Sequence, residues 1–349
     1  MHCAFCEHAP QRLALPLAAF VEGVYFPHAE NQKRASTARG YRQMWNSQLK
    51  ARCGNHRIRD FRTSDGQKLL LEIARQNPGM LRGTLRNIRS LLSAIFRLAI
   101  QRGYLNGPNP IREVSTPTAS EGADTYAYSL EEVTRLLMHL PQPAYTIAAV
   151  AAFTGLRRSE LTGLTWQNYS GDEISVTRSV WEGHVNEPKT RKSKAPVPVI
   201  APLRRILDAY REQCARKTGV MFATEKGTPL NLNNVLNRMI LPVLNVCVSC
   251  RKPQGEHVHA DHDFERDPAR PMWHGWHAFR RGLATNLHRL GVAGKEIQSI
   301  LRHANLSTTM NIYVKSVSAD SAAAMKMLES VVCTYCAPKD APSRDVVVN

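Results

Sequence analysis

The sequence predicts an α+β chain, mainly helical with a small antiparallel β-sheet, in two domains. Three observations carry this. Helical spacing of apolar residues runs through the first third of the chain. A polar stretch, STPTASEGADTYAYS, then interrupts it. Beyond that stretch, helical segments flank one β-rich segment, EISVTRSVWEGHVNEPKTRKSKAPVPVI, with alternating residues and a basic turn.

Taken in order, residues 1–30 read as an N-terminal arm with a Cys-x-x-Cys pair, Cys3 and Cys6. Its apolar run LALPLAAFV is broken by Pro16 and followed by Glu22. It lacks a small-x-small cleavage site, so it predicts the start of a soluble amphipathic helix, not a signal peptide. Residues 31–114 form a helical domain. STARGYRQMWNSQLKARCG opens on a hydroxyl cap and closes at glycine, and MLRGTLRNIRSLLSAIFRLAIQRGYL places Leu85, Ile88, Leu91, Leu92, Ile95, Phe96, Leu98 and Ala99 on one face, with arginines opposite. NGPNPIREV ends the domain, and residues 115–127 are the linker. The second domain spans 128–332. Ser129, with Glu131 and Glu132 behind it, starts a helix; YTIAAVAAFTGLRRSELTGLTW reads as a buried helix, a tight Thr-Gly turn and a short helix. Helices resume at PLRRILDAYREQCARK and are expected to continue to about Val332. Residues 333–349 read as a disordered tail.

Charge narrows the function. Lys and Arg number 46 against 29 Asp and Glu, a net charge of +17 over 349 residues. That surplus suggests a polyanionic partner, and arginine's planar fork suits phosphate. No run of about 18 apolar residues exists, so a membrane role is not expected. The pairs Cys3/Cys6, Cys247/Cys250 and Cys333/Cys336, without a secretion signal, suggest reduced thiols and zinc rather than a disulfide framework.

Four stretches carry candidate chemistry. In TGLRRSELTGL, the Thr154-Gly155 turn sends Arg157 out of an apolar environment, and Glu160, three positions on, can hold its guanidinium. In HAFRRGLATNL, His277 and Arg280 share one helical face and can grip an oxyanion. LRHANLSTTMNIYVK sets His303 ten residues before Tyr313, which alone reads as readily as a packing residue. The turn PKTRKSKAPVPV supplies Lys189, Lys192 and Lys194.

Together, in this order, these motifs resemble the tyrosine recombinase, or phage integrase, family over roughly residues 35–332. The resemblance implies a helical core-binding domain and a catalytic domain gripping opposite faces of duplex DNA. It implies Arg157, Lys189, His277, Arg280, His303 and Tyr313 as the catalytic set. Tyr313 would attack the scissile phosphodiester to leave a 3′-phosphotyrosine, and Arg157 and Arg280 would stabilise the phosphoryl oxygens. His277 would draw off the phenol proton, Lys189 would protonate the leaving 5′-oxygen, and His303 would hydrogen-bond a phosphoryl oxygen. Lys192 and Lys194 compete with Lys189 for its role. Arg302 stands where many members carry glycine. No cofactor is expected for the chemistry. Expected partners are double-stranded DNA, further copies of the chain in a synaptic tetramer, and accessory DNA-bending proteins, with a cytoplasmic location on DNA. SADSAAAMKMLESVV would dock on a neighbouring protomer or pack in cis. Two rival readings are a type IB topoisomerase-like enzyme and a catalytically inactive DNA-binding accessory or regulatory protein.

The stretch CVSCRKPQGEHVHADHDFERDPARPMWHGWH lies outside the family pattern and makes residues 247–272 an insertion. Cys247 and Cys250 have zinc-knuckle spacing, and His257, His259 and His262 follow. A structural zinc on the two cysteines and two of the histidines (His257 and His262 being the pair chosen) stands against an unmetallated loop. Cys3, Cys6, Cys333 and Cys336 could form a second, four-cysteine site.

Overall fold

The computed structural model describes residues 15–122, 125–187, 195–259 and 261–302. The chain divides into two compact units, residues 1–123 and 124–349.

The regular elements described in the first unit are helices: α1 (Leu17–Phe20) and α2 (Phe26–Gln32) joined by a wider turn at Val21–Tyr25, α3 (Ala35–Met44), α4 (Lys50–Cys53), α5 (Thr63–Gln76) and α6 (Arg82–Gln101). Helix α6 buries the eight apolar residues its spacing singled out. The separate N-terminal arm needs correcting. From Leu17 onward it is part of this unit's core, with Leu17, Phe20, Val21, Tyr25, Phe26 and Ala29 all buried there. Apolar burial outweighs the helix-weakening Gly23 and Pro27, which break the run into short pieces. The arginine face of α6 is not wholly a solvent face either. The Arg89 guanidinium donates to the carbonyls of Val114, Ile111 and Arg112, tying the NGPNP exit segment to the helix. The Arg82 backbone N–H donates to the Ser120 carbonyl at 2.8 Å, so the first half of the expected linker lies on this unit.

The second unit contains α7 (Leu130–His139), α8 (Ala144–Thr154), α9 (Arg158–Gly163), β1 (Glu173–Ile174), β2 (Ser179–Trp181), β3 (His184–Asn186), β4 (Val197–Pro198), α10 (Ala201–Gln213), α11 (Leu232–Val235), α12 (Leu241–Leu244), α13 (Trp276–Arg289) and α14 (Gly294–Leu301). Helix α7 begins with a reciprocal cap: the Glu132 N–H donates to the Ser129 hydroxyl at 3.1 Å, and the Ser129 N–H to the Glu132 carboxylate at 2.8 Å. Helix α8 is apolar on nearly every face and is correspondingly buried, forming the centre against which α7, α10 and α13 pack. The β region forms two separate antiparallel pairs, β1 with β4 and β2 with β3. Helix does not run on from α10. Residues 214–231 are non-helical, with Gly219 and Gly227 at φ +76° and +82°, and between α12 and α13 the described residues hold no α-helix, only a 3-10 helix at Gln254–His259. Among the described residues, no helix is long and apolar enough to cross a membrane.

Candidate active site

The site starts where α8 ends. Gly155 closes the helix at φ +62°, a conformation that side chains resist. A Cβ there would also lie 2.8 Å from Leu301 Cδ2 and 3.1 Å from Leu283 Cδ2. The tight turn delivers Arg157 to the start of α9. Glu160, at the third helical position, accepts the Arg157 backbone N–H and its guanidinium, each at 2.8 Å. One carboxylate thus caps the helix and orients the arginine.

Helix α13 supplies the second cation. Gly275, at φ +88°, turns the chain into it. The Tyr126–Tyr128 segment seats it: Arg281 donates to the Tyr126 carbonyl, and Asn286 to the Tyr128 carbonyl at 3.1 Å. Gly282 allows that approach, since a Cβ would lie 2.4 Å from the Tyr128 oxygen. Arg280 points inward and is only 3% exposed. Its guanidinium donates to the carbonyls of Gly155 and Leu301, so it spans the turn before Arg157 and the end of α14.

A third arginine joins them. Arg302 closes α14 in the left-handed region, at φ +56°, and is 2% exposed. Its guanidinium donates to Glu160 at 2.9 Å. Two guanidinium groups, those of Arg157 and Arg302, therefore meet one carboxylate, and Arg280 lies close enough to feel all three charges. Burial raises the Glu160 pKa, but the charges of Arg302 and Arg157 and the Arg157 N–H outweigh it and hold the group below its ordinary value. Burial first, then the neighbouring charge of Arg157, weakens the proton affinity of Arg280, which stays cationic at neutral pH because guanidinium does not titrate there. A positive excess in a low-dielectric setting is relieved by an anion.

His277 borders an adjoining cleft of about 620 Å³, lined also by Arg157, Arg158, Ser159, Trp181 and Asn231. Desolvation of its ring, followed by the charges of Arg280, Arg281 and Arg157, lowers its pKa below 6.5. The imidazole is therefore neutral at physiological pH and able to accept a proton.

Of the residues singled out in the sequence, Arg157, Glu160, His277 and Arg280 come together. Arg302, treated there only as a departure, joins them. Its one signal was an arginine in an otherwise apolar helix end. Lys189, its neighbours Lys192 and Lys194, His303 and Tyr313 lie outside the described residues, as do Cys3, Cys6, Cys333 and Cys336. Cys247, Cys250, His257 and His262 form a separate cluster ahead of α13. The His259 side chain lies outside the described residues.

No family model matches the chain. Among solved structures, the fold is similar to the Tn1549 transposon integrase in complex with transposon right end DNA. The TM-score is 0.67 at 19% identity, over 90% of this chain and 100% of that one. It is also similar to a lambda integrase dimer bound to a COC′ core site, with TM-score 0.60 at 16% identity, over 85% and 95% of the two chains. The fold is thus that of the DNA integrases. In sequence, the chain is 24% identical over 282 residues to a tyrosine recombinase XerC-like protein of Caldanaerobacter subterraneus subsp. tengcongensis, covering 71% of this chain. It spans 66% of that relative, just under two thirds of its length. It is 28% identical over 271 residues to tyrosine recombinase XerC of Mesorhizobium japonicum, covering 74% of this chain and 75% of that one. In sequence, the chain is thus similar to tyrosine recombinases.

Proposed function

We propose that this protein is a site-specific tyrosine recombinase that cuts and rejoins duplex DNA through a covalent 3′-phosphotyrosine. The observation that carries this reading is the gathering of Arg157, Arg280 and Arg302 around Glu160, beside a His277 whose pKa is depressed. In the proposed reaction, the Tyr313 oxygen bonds to phosphorus as the bond from phosphorus to the 5′-oxygen breaks. His277 takes the phenol proton. Lys189, in competition with Lys192 and Lys194, gives a proton to the leaving oxygen. Arg157 and Arg280 hold the phosphoryl oxygens as charge develops, and His303 adds a hydrogen bond. The covalent link conserves the phosphodiester's energy, so a 5′-hydroxyl can reverse the step. As written, the step draws on no metal ion and no nucleotide.

The proposed partners are duplex DNA and further copies of this chain. Support comes from the net charge of +17 and from a lambda integrase solved as a tetramer bound to a Holliday junction. Accessory DNA-bending proteins remain part of the proposal. The test uses DNA recovered by covalent trapping and sequencing, rebuilt as a nicked suicide substrate. The parent protein is expected to form a denaturant-resistant adduct and Tyr313→Phe none. An adduct that survives Tyr313→Phe, or none from the parent, overturns the reading. Rejoining that needs two paired sites separates recombination from simple relaxation of supercoils.

A further inference from the structure

The insertion ahead of α13 is absorbed neither by the fold nor by the proposed chemistry. It holds four side chains with metal-binding atoms that converge. One ligand atom from each of Cys247, Cys250, His257 and His262 can be chosen so that all lie within 4.8 Å of one another. Cys247 Sγ is 3.3 Å from His262 Nε2, and His262 Nε2 is 3.2 Å from His257 Nε2. Zinc bonds of about 2.3 Å to sulfur and 2.0–2.1 Å to nitrogen put tetrahedral neighbours roughly 3.3–3.8 Å apart. The measured separations are already near that size.

The surrounding backbone is shaped for this. The Arg251 N–H donates to the Cys247 carbonyl at 3.0 Å, and Arg251 turns the chain at φ +60°. The result is a tight turn that aims both sulfurs the same way. Asp261 Oδ1 lies 3.0 Å from His262 Nδ1, leaving Nε2 to face the cluster, the carboxylate–histidine arrangement that orients zinc ligands. Cys247 is fully buried and His257 is 8% exposed, so two of the four groups are withdrawn from water.

We propose that Cys247, Cys250, His257 and His262 bind one structural zinc ion that fixes the chain leading into α13. Two thiolates and two imidazoles suit zinc, and four protein ligands close its coordination sphere, so the site is structural. The pinned turn continues into a run of fixed contacts. Arg251 pairs with Asp267, whose carboxylate also accepts the Ala269 N–H at 2.9 Å. Arg266 donates to the carbonyls of Arg270 and Pro271 at 2.9 and 2.8 Å. The His274 N–H donates to the Tyr128 hydroxyl, two residues before α13 begins. The metal thus anchors one end of a brace whose other end is the helix bearing His277 and Arg280.

The test reads metal content without DNA, so it stands apart from the recombinase reading. Full-length protein is purified under reducing conditions, desalted and analysed for zinc and iron. A variant with Cys3→Ser, Cys6→Ser, Cys333→Ser and Cys336→Ser is expected to retain one equivalent of zinc. Its cobalt-substituted form is expected to show a tetrahedral spectrum with thiolate charge-transfer absorption. Adding Cys250→Ser is expected to lower the content by one equivalent, whereas Cys214→Ser leaves it unchanged. Less than about half an equivalent in the four-serine variant, iron in place of zinc, or no loss with Cys250→Ser each overturns the proposal, because a structural site is filled in folded protein.

Discussion

Arg302 sets two effects against each other at a single residue. Its left-handed backbone favours glycine by about 1 kcal/mol, while removing one member of a buried ion pair costs about 3–5 kcal/mol. The pair wins. Glu160 keeps Arg157, so the loss falls at the low end, about 3 kcal/mol, and Arg302→Gly is expected to destabilise the protein by about 2 kcal/mol net of the backbone relief. Urea unfolding checks the sign, and an unchanged or raised midpoint refutes it. His277 gives a prediction in pH. Its pKa lies below 6.5 because of desolvation and the nearby arginine charges, and the proposed base is the neutral ring. Loss of adduct formation on acidification is therefore expected to have its midpoint below pH 6.5. A midpoint above 6.5 is incompatible with His277 as the base.

The turn between α8 and α9 is as demanding as either helix. Gly155→Ala would place a methyl group in a left-handed position and against the buried Leu301, at about 3 kcal/mol for strain and overpacking together. Gly23, with nothing within 4 Å of a Cβ, is the matched control, and Gly23→Ala is expected to be neutral or mildly stabilising. Thermal melts of the two variants should diverge; similar midpoints would show the turn to be less tightly packed than described. Elements whose signals are local were legible in the sequence. The Ser129–Glu132 cap and the α6 stripe each depend on partners three or four positions apart. The apolar run LALPLAAFV reads as the start of a helix, but the burial of Leu17, Phe20, Val21, Tyr25, Phe26 and Ala29 in the first unit's core depends on partners far along the chain, which no local spacing announces. Arg89 looked like a solvent-facing cation because the carbonyls it serves lie more than twenty residues away.

At the scale of the whole molecule, the charge of +17 makes the proposed DNA affinity a function of salt. Log K is expected to fall linearly with log salt, by about 0.9 for each phosphate neutralised. Arg97→Ala removes an exposed cation from the hollow beside α6 and is expected to reduce that slope by up to about one such unit. Fluorescence anisotropy over a salt series measures it, and a slope near zero for the parent protein would argue against a phosphate-dominated interface. The site was legible where motif order named its residues, but not where distance in the chain concealed a partner. Arg302 meets Glu160 across 142 positions, and no local pattern announces such a meeting. Arg280 spans nearly as far, donating to carbonyls at Gly155 and Leu301 with two different nitrogens of one rigid plane. Lysine has a single side-chain nitrogen and no such plane, so Arg280→Lys is expected to loosen the walls of the site as well as weaken the proposed hold on phosphate. A slow Arg280→Lys enzyme therefore indicts the chemistry only after its unfolding curve has been shown to match the parent's.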